Sequence, residues 1–450
     1  MRNFCCSICR LLPGLLFTLT AFCQTGIPAP GNAADASALL LHMDKLSEQI
    51  DAKVIEWRRD IHQHPELGNR EFRTAGKVAA HLRSLGIEVK RGVGKTGVVG
   101  LLKGGHPGPV VALRADMDAL PITELNDLPF KSIVTTDYLG KTTGVMHACG
   151  HDTHVAMLMG VAEILAAVKA DLKGTVKFIF QPCEEGPPTG EEGGAKLMVK
   201  EGVLDNPKVD VIFGQHISSG NPTGVFTYRP GSVSAENDIF RITIKGKQSH
   251  GASPWSGVDP IVTGAQIVMA LQTIVSRNMP LTNNAAVVTV GAFHAGNREN
   301  IIPEEAVLIG TIRTLDTSMR NTIYRRVNEI VSNIAASAGA TAQVVISMED
   351  AMLSNNETLT AEMVPTLEAI AGKKNTQLVP AGMGAEDFAY FAQKVPGFFF
   401  STGAAPKTSQ GDQVGHHTPG FMLDEGGMNT GVKALCHLTV NYMEHHSIKK

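Results

Sequence analysis

The chain has 450 residues, 43% hydrophobic and 18% charged, the composition of a well-packed protein too long for one ordinary domain. A formal net charge of −3 and a pI near 6.6 give no electrostatic case for a nucleic-acid partner. Of the seven cysteines, Cys5, Cys6, Cys9 and Cys23 crowd the first 34 residues, leaving Cys149, Cys183 and Cys436. So odd and sparse a set is no disulfide framework, and at least one of the three is expected to be a free thiolate or a ligand.

The first residues read as a targeting segment. Arg2 and Arg10 precede an apolar run over residues 11–22, too short to span a bilayer, and small residues around Asn32-Ala33-Ala34-Asp35 suit a cleavage point. Residues 1–34 are therefore expected to be a secretory leader and the protein to be exported, to a periplasm or the medium. A lipoprotein-type signal ending at Cys23 is the alternative, with the bulky Phe22 against it. No stable membrane span is expected.

Leu46, Ile50, Val54 and Trp57 lie at helical spacing and predict a helix over residues 44–59, ended before Pro65. Val78, Leu82 and Leu85 predict a second helix, stopped by Gly86. Short apolar runs at residues 98–102, 110–113, 176–180 and 211–213, bounded by Gly, Pro or Asp, predict buried strands. The Ala-, Met- and Leu-rich stretch 153–169 predicts a helix between them, so the sheet is expected to be of α/β type with both faces covered. Beyond Phe226 the pattern becomes strand 239–244, helix 260–277, strands 286–292 and 306–313, helix 318–338 and strand 341–348. That β-α-β-β-α-β order is ferredoxin-like. An α/β texture returns from residue 352, with a strand at 398–401 and a last helix at 429–442. The expected layout is a discontinuous catalytic domain, residues 44–234 and 351–446, interrupted by an inserted domain at 235–350.

The chemistry concentrates in Met146-His147-Ala148-Cys149-Gly150-His151-Asp152-Thr153-His154 and Gln181-Pro182-Cys183-Glu184-Glu185-Gly186. Cys149 and His151 reach the same side if the segment is extended, with Gly150 allowing a tight turn. Alone, the pair reads as a buried cysteine beside a helix-capping histidine. Glu185, His216 and His417 at strand ends or loops shift the balance toward a metal site. Adjacent carboxylates usually mark a solvated loop edge, but Glu184-Glu185 follows an apolar strand, and open α/β sheets bind ligands at such ends. Neighbouring charge raises a carboxyl's proton affinity and a metal lowers it, so the pair is suited to divide into one base and one ligand. Asp116, closing another strand, would either ligate or orient a ligand imidazole.

Four motifs, residues 112–121, 147–154, 181–186 and Gly382-Met383-Gly384-Ala385-Glu386-Asp387-Phe388, occur in order along the chain. Together they resemble the hippurate hydrolase and auxin–amino acid conjugate hydrolase branch of the metallopeptidases related to aminoacylase. The resemblance runs from about Trp57 to the C-terminal helix. It implies a zinc-aminopeptidase-like α/β catalytic domain with an inserted ferredoxin-like α+β dimerisation (lid) domain. It also implies metal ligands at Cys149, His151, Glu185, His216 and His417, with Glu184 as general base. Related branches have a histidine where this chain has Arg114, which leaves Asp116 behind the ligands. In the lid, the resemblance assigns His250 to polarising the scissile carbonyl, often across a dimer, and Asn300 and Arg313 to gripping substrate. Two features depart from the family pattern: Cys183 beside the base, with a possible sensitivity to oxidation, and a lengthened loop Pro187-Pro188-Thr189-Gly190-Glu191-Glu192.

The expectation is a homodimeric amidohydrolase that uses two divalent ions per subunit, zinc first and manganese or cobalt as alternatives, to cleave N-acyl-L-amino acids. A metallocarboxypeptidase or dipeptidase shares the metal chemistry and differs on the acyl side. A thiol hydrolase built on Cys149, or a non-catalytic protein binding metal and acyl amino acid, are the remaining alternatives.

Overall fold

The computed structural model describes residues 33–407 and 415–447; the expected leader through residue 32, with Cys23, lies outside the described residues. No described helix is long and apolar enough to cross a membrane.

Eight strands form the main sheet, in the order Glu88–Val93, Gly97–Lys103, Lys173–Gln181, His106–Asp116, Val211–Ser218, Gly397–Gly403, Phe226–Tyr228, Thr376–Leu378. Its centre is parallel: Lys173–Gln181, His106–Asp116, Val211–Ser218 and Gly397–Gly403 run in one direction. Alternation along each central strand feeds two cores. Val176, Phe178 and Phe180 enter one, with Val111, Leu113, Phe213, Phe398 and Phe400; Ile179, Ala112, Ile212 and Phe399 enter the other. Both faces being apolar is why these strands read as unbroken hydrophobic runs. The first core is covered by helices Ala33–Gln63, Phe72–Ser84, His151–Ala167, Glu357–Ala371 and Gly426–His446, the second by the short helices Gly194–Lys200 and Ala389–Ala392. His151–Ala167 is buried on nearly every side, which accounts for its uniform apolarity.

A second, four-stranded antiparallel sheet orders Ala286–Ala295, Glu305–Thr314, Glu236–Lys245, Thr341–Asp350, the ferredoxin-like arrangement. Helices Pro260–Asn278 and Thr317–Ser337 cover one face, packing Ile267, Leu271, Ile323 and Val327 on Phe240, Ile242, Leu308 and Ile312. Both helices begin on capping aspartates. Asp259 accepts from the N–H of Ile261 (2.8 Å), and Asp316 from those of Ser318 (2.7 Å) and Met319 (2.9 Å).

Three local expectations are corrected. The first helix runs over Ala33–Gln63 rather than 44–59, because its N-terminal turns continue to pack on the same core through Leu39, Leu40 and Met43. His216 sits inside its strand, which continues to Ser218 by pairing with Gly397–Gly403. Cys149 and His151 do not lie on an extended segment: Gly150 is left-handed (φ 97°), and His151 opens a helix. The turn requires glycine twice over, since a Cβ there would also lie 2.4 Å from Ile217 Cγ2.

Candidate metal centre

Because the central strands are parallel, their carboxyl ends share one edge of the sheet. Asp116 closes the first, Gln181 closes the second just before Glu184 and Glu185, and His216 lies near the end of the third. The left-handed turn at Gly150 brings Cys149 and His151 to the same edge, and the chain after Gly397–Gly403 brings His417.

Five expected ligands converge there. Cys149 Sγ lies 3.2 Å from His417 Nε2 and 3.4 Å from His216 Nε2. His417 Nε2 is 3.1 Å from Glu185 Oε1, and His151 Nε2 is 4.0 Å from that same oxygen. The imidazoles are oriented from behind. His151 Nδ1 donates to the Asp118 carbonyl (2.9 Å) and His216 Nδ1 to the Ile217 carbonyl (2.6 Å), so each Nε2 presents a lone pair to the cluster. His151 Nε2 is buried and has no hydrogen-bond partner. A buried acceptor without a donor, facing a thiol, a carboxylate and other imidazoles, fits divalent cations. His416 stands close by but is satisfied on both sides, donating to the Cys149 carbonyl (3.0 Å) and accepting from Ser219 N–H (3.4 Å). His417 is therefore the better donor of the two.

Glu184 and Glu185 separate as their surroundings require. Burial and the carboxylates of Glu386, Glu185 and Asp387 hold Glu184 well above the ordinary carboxylate range. In Glu185 the cost of burial is outweighed by the hydrogen bond with His417, and its proton affinity falls. Glu184 Oε2 lies 3.8 Å from His151 Nε2, as near as Glu185 Oε1 at 4.0 Å, so geometry alone places both carboxylates at the edge of the cluster. The two adjacent carboxyls thus differ in proton affinity, Glu184 holding a proton more tightly than Glu185.

Asp116 is fully buried beside His151, and its oxygens are taken up by neighbouring side chains. It accepts from His154 Nδ1 (2.5 Å) and Arg114 Nη1 (2.6 Å) and lies 3.8 Å from His151 Nε2. Sequence reasoning assigned no role to His154, whose Nε2 accepts from Ile217 N–H (2.8 Å), or to Asp118, which also accepts from Glu185 N–H (2.9 Å). The signal for Asp118 was present: Arg114, Asp116 and Asp118 alternate, so they share a face where the strand ends.

Cys183 is 1% exposed, and its thiol is pushed up by burial and by the charges of Asp118 and Glu71. It is a packed, protonated side chain, not the oxidation-sensitive thiolate its place beside the base suggested. The lengthened loop is pinned at Glu191 by Arg70 (2.6 Å), Lys95 and Asn69 (3.1 Å). It walls a cavity of about 440 Å³ that runs from Glu184 to Asp350 at the root of the lid.

The lid residues are placed differently. His250 and Asn300 are exposed and meet each other where His250 pairs with Ile301 and Gly251 N–H donates to the Asn300 carbonyl (2.8 Å). Among the described residues, none of the contacts of His250 reaches the metal-binding cluster. Arg313 lies apart from that pair, opposite Asn237, and its charge acts on Asp350 beside the cavity.

Residues 112–441 match the model of peptidase family M20/M25/M40. Thermostable carboxypeptidase 2 of Saccharolobus solfataricus is 42% identical over 398 residues, 88% of this chain and 96% of that protein. IAA-amino acid hydrolase ILR1-like 2 of Arabidopsis thaliana is 36% identical over 443 residues, 97% of this chain and 95% of its own length. The crystal structure of the YXEP protein of Bacillus subtilis, a dinuclear metal-binding peptidase of family M20, superposes with a TM-score of 0.73 at 35% identity, over 89% of this chain and all of that one. The chain belongs to peptidase family M20/M25/M40 and is a metal-dependent hydrolase of that family's amidohydrolase and peptidase type.

Proposed function

We propose that the protein hydrolyses N-acyl-L-amino acids to a carboxylic acid and a free amino acid, with two divalent ions held by Cys149, His151, Glu185, His216 and His417. The observation that carries this reading is the convergence of these donors around the buried, unpartnered Nε2 of His151, with the largely buried carboxyl of Glu184 3.8 Å from it. When bound, such ions polarise a carbonyl and acidify water. Glu184 takes the proton of the attacking water and returns it to the amine nitrogen as the C–N bond breaks. A raised proton affinity suits a group that must do both. The carbonyls of Asp118 and Ile217 hold the rings of His151 and His216 in the tautomer that leaves each Nε2 free.

His250 supplies a donor to the developing oxyanion and, with Asn300, grips the acyl portion; Arg313 pairs with the substrate carboxylate. Since the contacts of His250 are confined to the lid, it reaches the bond through lid closure or from a second copy of the chain. The second route, through a homodimer formed by the lid, is the one proposed. Helix Pro260–Asn278 leaves Ile261, Val262 and Met269 40%, 55% and 72% exposed along one side. The double variant Val262→Glu/Met269→Glu is expected to be monomeric by light scattering and to lose most turnover. A wild-type monomer, or a variant that still dimerises, contradicts this arrangement.

Thiolate and imidazole donors favour zinc, and manganese and cobalt accept the same mixed set. A chelator should abolish turnover and reduce stability by about 3 kcal/mol for each ion held at ~100 times its Kd, both effects reversing on adding back metal. Permanent loss on thiol alkylation without metal dependence would instead favour a Cys149 hydrolase. The carboxypeptidase reading is supported by the 42% identical relative of that name. A panel of N-acetyl and N-benzoyl amino acids against dipeptides and longer peptides decides: faster release of free amino acid from the acyl series is expected, and turnover confined to peptides overturns the proposal. Export with removal of residues 1–34 is proposed from Arg2, Arg10 and the apolar run that follows.

A further inference from the structure

The motif spanning residues 382–388 supplies no expected ligand, yet Asp387 sits against the base itself. Carboxylate oxygens of Glu184, Glu386 and Asp387 all lie within 4.8 Å of one another. Asp387 is buried and uses both oxygens. Oδ1 accepts from Gln181 Nε2 (2.7 Å) and Arg114 Nη2 (2.9 Å), and Oδ2 from Gln181 Nε2 (2.8 Å) and Ala195 N–H (2.7 Å). Gln181 and Ala195 are the two feet of the segment, residues 182–194, that carries Glu184 and Glu185. One carboxylate therefore braces that loop at both ends.

The brace is itself anchored. At the root of the lid, Ala235 N–H donates to the carbonyls of Gly382 (3.2 Å) and Gly384 (3.1 Å), and Gly382 N–H donates to Val233 O (2.9 Å). On the other side of Asp387, the Phe388 ring is buried 5.0 Å from Phe399, centroid to centroid. Charge-assisted bonds to a fully buried carboxylate are short and directional, and hold a loop more firmly than neutral ones.

We propose that Asp387 is a positioning residue for hydrolysis: by bracing Gln181 and Ala195 together, it sets where the Glu184 carboxyl stands relative to the scissile bond. The inference rests on Glu184 as the base. A displacement of about 1 Å at a reacting group costs up to roughly 100-fold in rate, so the brace acts on kcat and leaves substrate affinity to the lid.

The test is Asp387→Asn, which keeps the shape but turns an acceptor toward Ala195 N–H into a donor. The expected result is a folded protein with metal content unchanged, kcat lower by about 10- to 100-fold and KM within about twofold. Gln181→Met, which removes both Nε2 donations and leaves the charge of Asp387 in place, should show the same split more weakly. Wild-type kcat in either folded variant, or a fall in kcat that tracks lost metal, overturns the proposal. Failure of both variants to fold also overturns it, by making the brace purely architectural. Activity in Glu184→Gln would remove the base instead, a separate result.

Discussion

Replacing Glu184 by glutamine is expected to lower kcat by about 10³-fold while the metal content stays the same. The amide keeps the side chain's shape but cannot accept the proton of water or return one to the departing amine. Substrate binding is left to other groups, so KM should change little. Stability should hold or rise, which distinguishes this variant from a damaged one. In the wild type, burial and the carboxylates of Glu386, Glu185 and Asp387 already disfavour ionised Glu184, so a neutral amide fits the same surroundings without added cost. Steady-state kinetics on an N-acetyl amino acid, with elemental analysis and a thermal melt of the same sample, check all three. Turnover near the wild-type value would remove Glu184 from the mechanism.

Arg114→Met is expected to destabilise the fold by about 3–5 kcal/mol. The guanidinium is 1% exposed and serves four partners at once: Gln181 Oε1 (2.7 Å), Asp116 Oδ2 (2.6 Å), Asp387 Oδ1 (2.9 Å) and Glu386 Oε1 (3.0 Å). Its removal leaves three buried carboxylates without their cation, and they hold both the base loop and the ring of His154. Arg114→Lys should recover little of the loss, because one ammonium cannot reproduce a planar fork spread over two strand ends and a loop. Denaturant melts measure the difference. A cost below about 1 kcal/mol for Arg114→Met would show that the carboxylates are neutralised by something else.

The same residue shows where sequence reading stopped. Arg114 and Asp387 are 273 positions apart, and no periodicity links a strand end to a loop at that distance. The proposed ligands could be read because their motifs are local and each falls at the edge where parallel strands end. The strands themselves were legible because both faces are buried. By contrast, Glu88–Val93 is an exposed edge strand without an apolar run, and Glu357–Ala371 is a helix with Pro365 inside it. The strand lacks its marking pattern; in the helix Leu359, Met363, Leu367 and Ile370 do fall at helical spacing, but Pro365 interrupts the run. The lid stood out because its strands and helices alternate at regular lengths, and the capping aspartates Asp259 and Asp316 stand where its helices begin.

Anomalous diffraction from crystals of the zinc-loaded protein tests the dinuclear centre most directly. Two peaks per chain are expected, at roughly 2.0–2.3 Å from donor atoms of Cys149, His151, Glu185, His216 and His417, with Glu184 bonded to neither. A single peak, or zinc seated among Glu184, Glu386 and Asp387, would contradict the division of the two adjacent glutamates into ligand and base.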